Sequence, residues 1–160
     1  MPVVKFAGIV GAFRDGAWGG VMASILLIDD DDLVLTAMRS MLEFGGHKVC
    51  SVSSGPAAMK SLQQDPPDVI VTDLLMPEMD GIDIIRAIRA IDQATPIIAV
   101  TGDVQMTRRS DHFSSAKTAG ATETLMKPFR ASVLCNLVGD VLRRRAKSDE
   151  APPGETEPSA

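Results

Sequence analysis

The sequence predicts an α/β fold in which helices cover both faces of a parallel sheet. Short apolar runs rich in β-branched residues alternate, from Ser24 onward, with longer segments in which apolar residues recur every three or four positions. That alternation is typical of a parallel sheet with helical crossovers. Two of the runs, ILLI and IIAV, are apolar throughout, as strands buried on both faces should be.

We expect five strands and five helices in strict alternation. The predicted strands cover residues 25–28, 47–52, 69–72, 97–100 and 124–126, and the predicted helices cover about 33–44, 56–64, 82–91, 107–119 and 130–145. Gly and Pro residues at the ends of the helical segments support these limits. With 160 residues, 45% of them hydrophobic, the chain has the length of one packed domain.

The two ends of the chain differ from the middle. Residues 1–23 are expected to be a disordered N-terminal extension, and Met22, just before the first strand, is a candidate start of the protein. Residues 24–145 are predicted to form the domain. Residues 146–160 are rich in Pro, Glu, Ser and Gly without apolar anchors, so they are predicted to be a disordered tail with no second domain after it.

Charge and cysteine content exclude several classes of protein. The formal net charge is -5 and the isoelectric point about 4.9, which argues against direct binding of nucleic acid. The sequence contains no apolar run as long as a bilayer span, so we expect no membrane insertion and a cytoplasmic protein. Cys50 and Cys135 have no metal-ligand spacing and are expected to be buried thiols.

Polar residues follow four of the predicted strands. Asp29 and Asp30 come after ILLI, Asp73 after VIVT, Thr101 after IIAV and Lys127 after TLM. Parallel strands all point the same way, so these side chains should share one cleft at the carboxyl edge of the sheet, where ligands of open α/β sheets bind. Close carboxylates favour a hard divalent cation such as Mg²⁺, beside which Asp73 could act as a nucleophile on phosphorus.

Each of these residues also has an ordinary structural interpretation. Acids after a strand often cap the next helix, which is the role expected for Asp31 or Asp32, and Asp80 is expected to cap the helix that begins near residue 82. A single Lys or Thr is usually a surface group, but four matching strand ends favour the functional interpretation. His47 and His112 have no partner at metal-ligand spacing and are assigned no role.

The motifs together resemble the receiver domains of two-component response regulators. They are ILLIDDDD, VIVTDLLMPEMDG, AVTG and AGATETLMKPF, and the resemblance covers residues 24–145. It implies a doubly wound, flavodoxin-like sheet of five parallel strands in the order 2-1-3-4-5, an order for which a chemotaxis regulator of this family is the standard example. It also implies a cis peptide bond before Pro128.

The resemblance further assigns roles to individual residues. It implies that Asp73 accepts a phosphoryl group from a sensor histidine kinase or a histidine phosphotransfer protein, with Thr101 and Lys127 contacting that group. The implied Mg²⁺ ligands are Asp29, Asp30, Asp73 and the backbone carbonyl of Leu75. The implied activity is self-catalysed phosphorylation and dephosphorylation in a single-domain regulator that signals to a downstream protein target or within a phosphorelay.

Two features depart from the family pattern, and two other functions remain open. Thr124 lies three residues before the lysine, where many members carry an aromatic residue that moves on activation, and the segment 102–118 is longer than usual.

One alternative is a haloacid-dehalogenase-like phosphatase with Asp29 as nucleophile, although Leu33 fits that motif poorly. The other is a binding module that works without phosphorylation, which a partner bound equally well by Asp73→Ala would support.

Overall fold

A computed structural model describes residues 22–77, 80–102 and 109–150, and these contain five strands and five helices in alternation. The strands are β1 Ser24–Ile28, β2 Lys48–Val52, β3 Val69–Asp73, β4 Ile97–Thr101 and β5 Glu123–Met126. The helices are α1 Asp32–Phe44, α2 Gly55–Gln64, α3 Gly81–Ile91, α4 Arg109–Ala119 and α5 Ala131–Glu150. The predicted order of elements is confirmed.

All strand pairings in the sheet are parallel, and the strand order is β2-β1-β3-β4-β5. Alternate residues of each strand face opposite sides, so the sheet supports two separate apolar layers. One layer joins Leu26, Ile70 and Ile97 to α2 and α3. The other joins Leu27, Val71 and further strand residues to α1 and α5. The predicted doubly wound α/β fold is therefore confirmed.

Side-chain caps begin α1 and α3, which follow the strands that carry the acidic residues. Asp31 precedes α1 and accepts hydrogen bonds from the backbone N–H groups of Leu33 and Val34, while Asp80 precedes α3 and accepts from Ile82. These bonds satisfy N–H groups that have no partner inside the helix. The capping roles predicted for Asp31 and Asp80 are confirmed.

Two predictions about individual segments are wrong. Cys50 is exposed, because it lies on the edge strand β2, whereas Cys135 is a buried residue of α5, as expected. Helix α5 continues to Glu150, five residues into the predicted disordered tail. Extending an existing helix requires no apolar face, because each added residue gains a backbone hydrogen bond, and here the Ser148 hydroxyl also donates to the carbonyl of Arg144.

Several other predictions fall partly outside the described residues. These are the N-terminal extension up to residue 21, the tail beyond residue 150, and the start of the fourth helix within residues 103–108. Among the described helices, none combines the length and the apolar character needed to cross a bilayer.

Candidate functional site

The four polar strand ends meet at one edge of the sheet. Asp73 is the last residue of β3, and Thr101 is the last residue of β4. The sequence predicted both residues just beyond the strands, whereas the structure includes them in the strands. Asp29 directly follows β1, and Lys127 directly follows β5. The Lys127 backbone N–H donates to the Thr101 carbonyl at 2.8 Å, which holds the end of β5 beside the end of β4.

An acidic cluster forms the centre of this edge. Asp29, Asp30 and Asp73 each present a carboxylate oxygen, and these atoms lie within 4.8 Å of one another. Asp29 and Asp73 are almost fully buried, with 1% and 7% of their surface exposed, while Asp30 is open to solvent. Several hard oxygen donors around one point, one of them accessible, fit a Mg²⁺ ion that keeps part of its water shell.

Lys127 places a positive charge against the two buried carboxylates. Its Nζ atom lies 3.0 Å from Asp29 Oδ2 and 3.6 Å from Asp73 Oδ2. The peptide bond between Lys127 and Pro128 is cis, as the resemblance implied. The lysine therefore reaches the cleft that the strand ends predicted.

The environment of Asp73 opposes its ionised form. Burial raises the pKa of the Asp73 carboxyl above its ordinary value, and the negative charge of Asp29 acts in the same direction. The ammonium group of Lys127 lowers that pKa, as does the Leu75 backbone N–H, which donates to Asp73 Oδ1 at 3.3 Å. A cation bound among these carboxylates would lower that pKa further, because an opposite charge favours the ionised form.

Backbone groups orient both buried carboxylates. The Asp31 N–H donates to Asp29 Oδ1 at 2.9 Å, so the residue that caps α1 also fixes the first acid of the cluster. After β3 the chain turns outward, and Leu75 forms an isolated antiparallel bridge with Asp80. This bridge closes the turn that carries Asp73 and the backbone of Leu75.

Gly81 is a site residue that the sequence analysis missed, since it predicted only a capping role for the neighbouring Asp80. A Cβ atom at position 81 would lie 2.3 Å from the carbonyl oxygen of Asp73 and 2.5 Å from Leu74 Cα. The Gly81 N–H also donates to the Leu74 carbonyl at 3.1 Å. Glycine at the first position of α3 thus allows this helix to support the Asp73 backbone. The sequence signal for this role was a glycine at a position where a residue with higher helix propensity would be preferred.

The remaining predicted residues take less direct positions. Thr101 is completely buried, and Thr124 is half-buried on β5, opposite Ala99 of β4. Much of the long segment after Gly102 lies outside the described residues. The group of possible metal ligands found among the described residues includes neither histidine, and His47 instead accepts a hydrogen bond from the Ala23 N–H at 3.3 Å.

Comparisons with known proteins agree on one family. A family model described as "Response regulator receiver domain" matches residues 25–139. The chain is 37% identical over 134 residues to the transcriptional regulatory protein AfsQ1 of Streptomyces coelicolor, covering 81% of this chain and 56% of that protein. It is 32% identical over 124 residues to the transcriptional regulatory protein PrrA of Mycobacterium tuberculosis, covering 78% and 52%. The chain thus spans about half the length of these curated relatives.

Two solved receiver-domain structures show the same fold over nearly their whole length. A response regulator receiver domain from Clostridium thermocellum superposes with a TM-score of 0.72 at 30% identity, covering 79% of this chain and 99% of that one. A CheY-like receiver domain from Methanospirillum hungatei also gives a TM-score of 0.72, at 22% identity, covering 80% and 99%.

Proposed function

This chain belongs to the response regulator receiver domain family, and we propose that it accepts a phosphoryl group on Asp73 from a histidine-phosphorylated partner in the presence of Mg²⁺. The observation that carries the proposal is the meeting of three carboxylates and one ammonium group in a single cleft. Carboxylates so close to one another require a counter-charge, and a phosphoryl donor requires a nucleophile beside that charge.

The chain's own residues suit this chemistry. Asp29, Asp30, Asp73 and the backbone carbonyl of Leu75 would hold the ion, which when bound would supply positive charge to the phosphoryl oxygens. Lys127 Nζ, now shared between two buried carboxylates, is close enough to pair with a phosphoryl group on Asp73. Thr101, at the end of the adjacent strand, would donate its hydroxyl to another phosphoryl oxygen.

The phosphoryl transfer needs no reactant beyond the phosphohistidine, the Asp73 carboxylate and a proton from solvent. An Asp73 carboxylate oxygen attacks the phosphorus of a phosphohistidine, so a P–O bond forms while the P–N bond breaks. The electron pair of the broken bond stays on the imidazole nitrogen, which then takes a proton from solvent. Hydrolysis later returns inorganic phosphate and the free carboxylate. The protein would thus catalyse only its own phosphorylation and dephosphorylation.

Partner and output belong to the same proposal. The donor would be a sensor histidine kinase or a histidine phosphotransfer protein in the cytoplasm. The curated relatives described above are transcriptional regulators about twice the length of the matched region. For this chain we propose that the receiver domain signals through protein contacts, to a target or within a phosphorelay. The net charge of -5 supports protein rather than nucleic-acid contact.

The proposal is tested by incubating the protein with acetyl phosphate and measuring intact mass over time. We expect one added phosphoryl group per chain in Mg²⁺, and none after EDTA treatment or in Asp73→Asn. Asp83→Asn is the matched control, because Asp83 is an exposed acid of α3 that pairs only with Arg86 among the ion pairs described. Full labelling without metal, or of Asp73→Asn, would contradict the proposal.

The same preparations distinguish the two alternatives. Continuous turnover of phosphate esters with more than one phosphate released per chain would favour the phosphatase. A partner that binds Asp73→Ala as tightly as the phosphorylated wild-type protein would favour the module that works without phosphorylation.

A further inference from the structure

Helix α4 has little apolar anchorage. Among its apolar side chains that the structure describes, Ala116 is buried, and Phe113 and Ala119 are half-buried. Helix α3 next to it buries four isoleucines, Ile82, Ile84, Ile85 and Ile88. Because burial of apolar surface provides most of the energy that docks a helix, α4 should depend on polar contacts more than its neighbour does.

A three-residue ion network supplies such contacts at the sheet edge. Glu123 begins the edge strand β5, and its Oε1 accepts a hydrogen bond from Arg144 of α5 at 2.7 Å. Its Oε2 lies 3.4 Å from Nζ of Lys117 on α4, and that ammonium group also donates to the Thr122 carbonyl. We call Lys117, Glu123 and Arg144 the Glu123 clasp, because they join α4, β5 and α5.

The carboxylate of the clasp favours its ionised form. The hydrogen bond from Arg144 lowers the pKa of Glu123 below its ordinary value, and the charge of Lys117 contributes in the same direction. Glu123 has 25% of its side chain exposed, against 46% for Lys117 and 55% for Arg144. Its position between two cations on different helices makes it the central residue of the clasp.

The Glu123 clasp holds the C-terminal end of α4, whereas the chain from the proposed phosphorylation site enters α4 at its N-terminal end. Strand β4 ends at the buried Thr101, and the chain then leads through Gly102 and residues 103–108 to α4. If the Thr101 hydroxyl moves toward a phosphoryl group on Asp73, the segment that follows must move with it. The clasp ties the far end of α4 to β5 and α5, so displacement of the helix must stretch or break it.

We propose that the Glu123 clasp holds α4 in the conformation in which Lys127 pairs with the free carboxylates, and thereby sets how strongly a phosphoryl group must act to switch the domain. This inference rests on the proposed function, because it assigns a regulatory role to a contact of the same domain. A contact made in one of two conformations shifts their populations by its own free energy.

The anchoring role is tested without any phosphoryl donor, by amide hydrogen exchange of α4 in wild type and Glu123→Gln. Removing the carboxylate charge should speed exchange in α4 about two- to fivefold, as expected for a partly exposed ion pair. High salt should bring the wild type close to the variant, since exposed charges are screened. Asp140→Asn is the matched control, because Asp140 pairs with Arg143 of the same helix and leaves the clasp intact. Equal exchange in wild type and Glu123→Gln would overturn the inference.

The switching role is tested by titrating beryllofluoride, a mimic of the bound phosphoryl group, in Mg²⁺. The beryllofluoride concentration that gives half-saturation should fall about two- to fivefold in Glu123→Gln. The same fall is expected in Lys117→Met, which breaks the clasp from the α4 side, but not in Asp140→Asn. Unchanged or weaker binding in both clasp variants would overturn the inference while leaving the proposed function intact. If the wild type itself binds no beryllofluoride, the proposed function fails, and the exchange experiment alone decides whether the clasp anchors α4.

Discussion

Replacing Gly81 with alanine should disturb Asp73, the proposed acceptor, although position 81 carries no functional group. The new Cβ would lie 2.3 Å from the Asp73 carbonyl oxygen and 2.5 Å from Leu74 Cα, where real Cβ contacts stay beyond 3.0 Å. Both obstacles are backbone atoms, so neither can rotate away. The start of α3 and the turn after β3 must separate by at least about 0.7 Å to reach that limit.

The expected effect has two parts. Overpacking against backbone costs roughly 1–3 kcal/mol, and alanine's better helix propensity returns at most about 1 kcal/mol. The difference spans roughly 0–3 kcal/mol, and from the middle of that range we expect the free energy of unfolding to fall by about 1–2 kcal/mol, measured by urea denaturation. Displacement of Asp73 by most of an ångström should slow labelling by acetyl phosphate on the order of 10- to 100-fold.

Gly102→Ala is the matched control, because among the described residues its Cβ would meet Lys127 side-chain atoms, at 3.6 and 3.7 Å, which is ordinary contact distance. It should keep most of the labelling rate. If folded Gly81→Ala is labelled at the wild-type rate, the claim that the close approach of Gly81 positions Asp73 is wrong.

Three further predictions concern other residues. Burial lowers the pKa of His47, so the folded state binds a proton less readily than the unfolded state. The free energy of unfolding should therefore fall as the pH drops below about 6.5. In denaturation titrations, His47→Asn should show a weaker dependence of this free energy on pH. Arg89 donates to the carbonyls of Gly120, Asp92 and Thr95, so Arg89→Met should cost roughly 2–3 kcal/mol of unfolding free energy, measured by the same denaturation. Lys127→Met should slow labelling of Asp73 roughly 100-fold. Calorimetry should show that the variant still binds Mg²⁺, because the Lys127 ammonium group no longer competes with the ion for Asp29.

The sequence predicted those parts of the fold that depend on local pattern. The fully apolar runs ILLI and IIAV are central strands, and the acids at Asp31 and Asp80 begin helices as their neighbours indicated. Cys50 was misplaced because an apolar environment in sequence does not reveal which strand lies at the sheet edge. The end of α5 was misplaced because composition measures apolar anchorage, whereas helix extension depends on backbone hydrogen bonds.

The site was predictable as a set of strand ends but not as a set of contacts. Parallel strands bring Asp29, Asp73 and Lys127 to one edge whatever their detailed packing. The role of Gly81 depends on a backbone approach between residues eight positions apart, and the Glu123 clasp depends on two helices meeting one edge strand. Neither arrangement leaves a periodic signal in the sequence.

Locating the phosphoryl group by peptide mass spectrometry tests the central claim most directly. The protein is labelled with acetyl phosphate in Mg²⁺, reduced with borohydride to trap the acyl phosphate, and digested. The reduced residue should be found at Asp73 alone. Finding it at Asp29 or Asp30, or finding no acyl phosphate in a protein that carries label, would contradict the assignment of Asp73 as the acceptor.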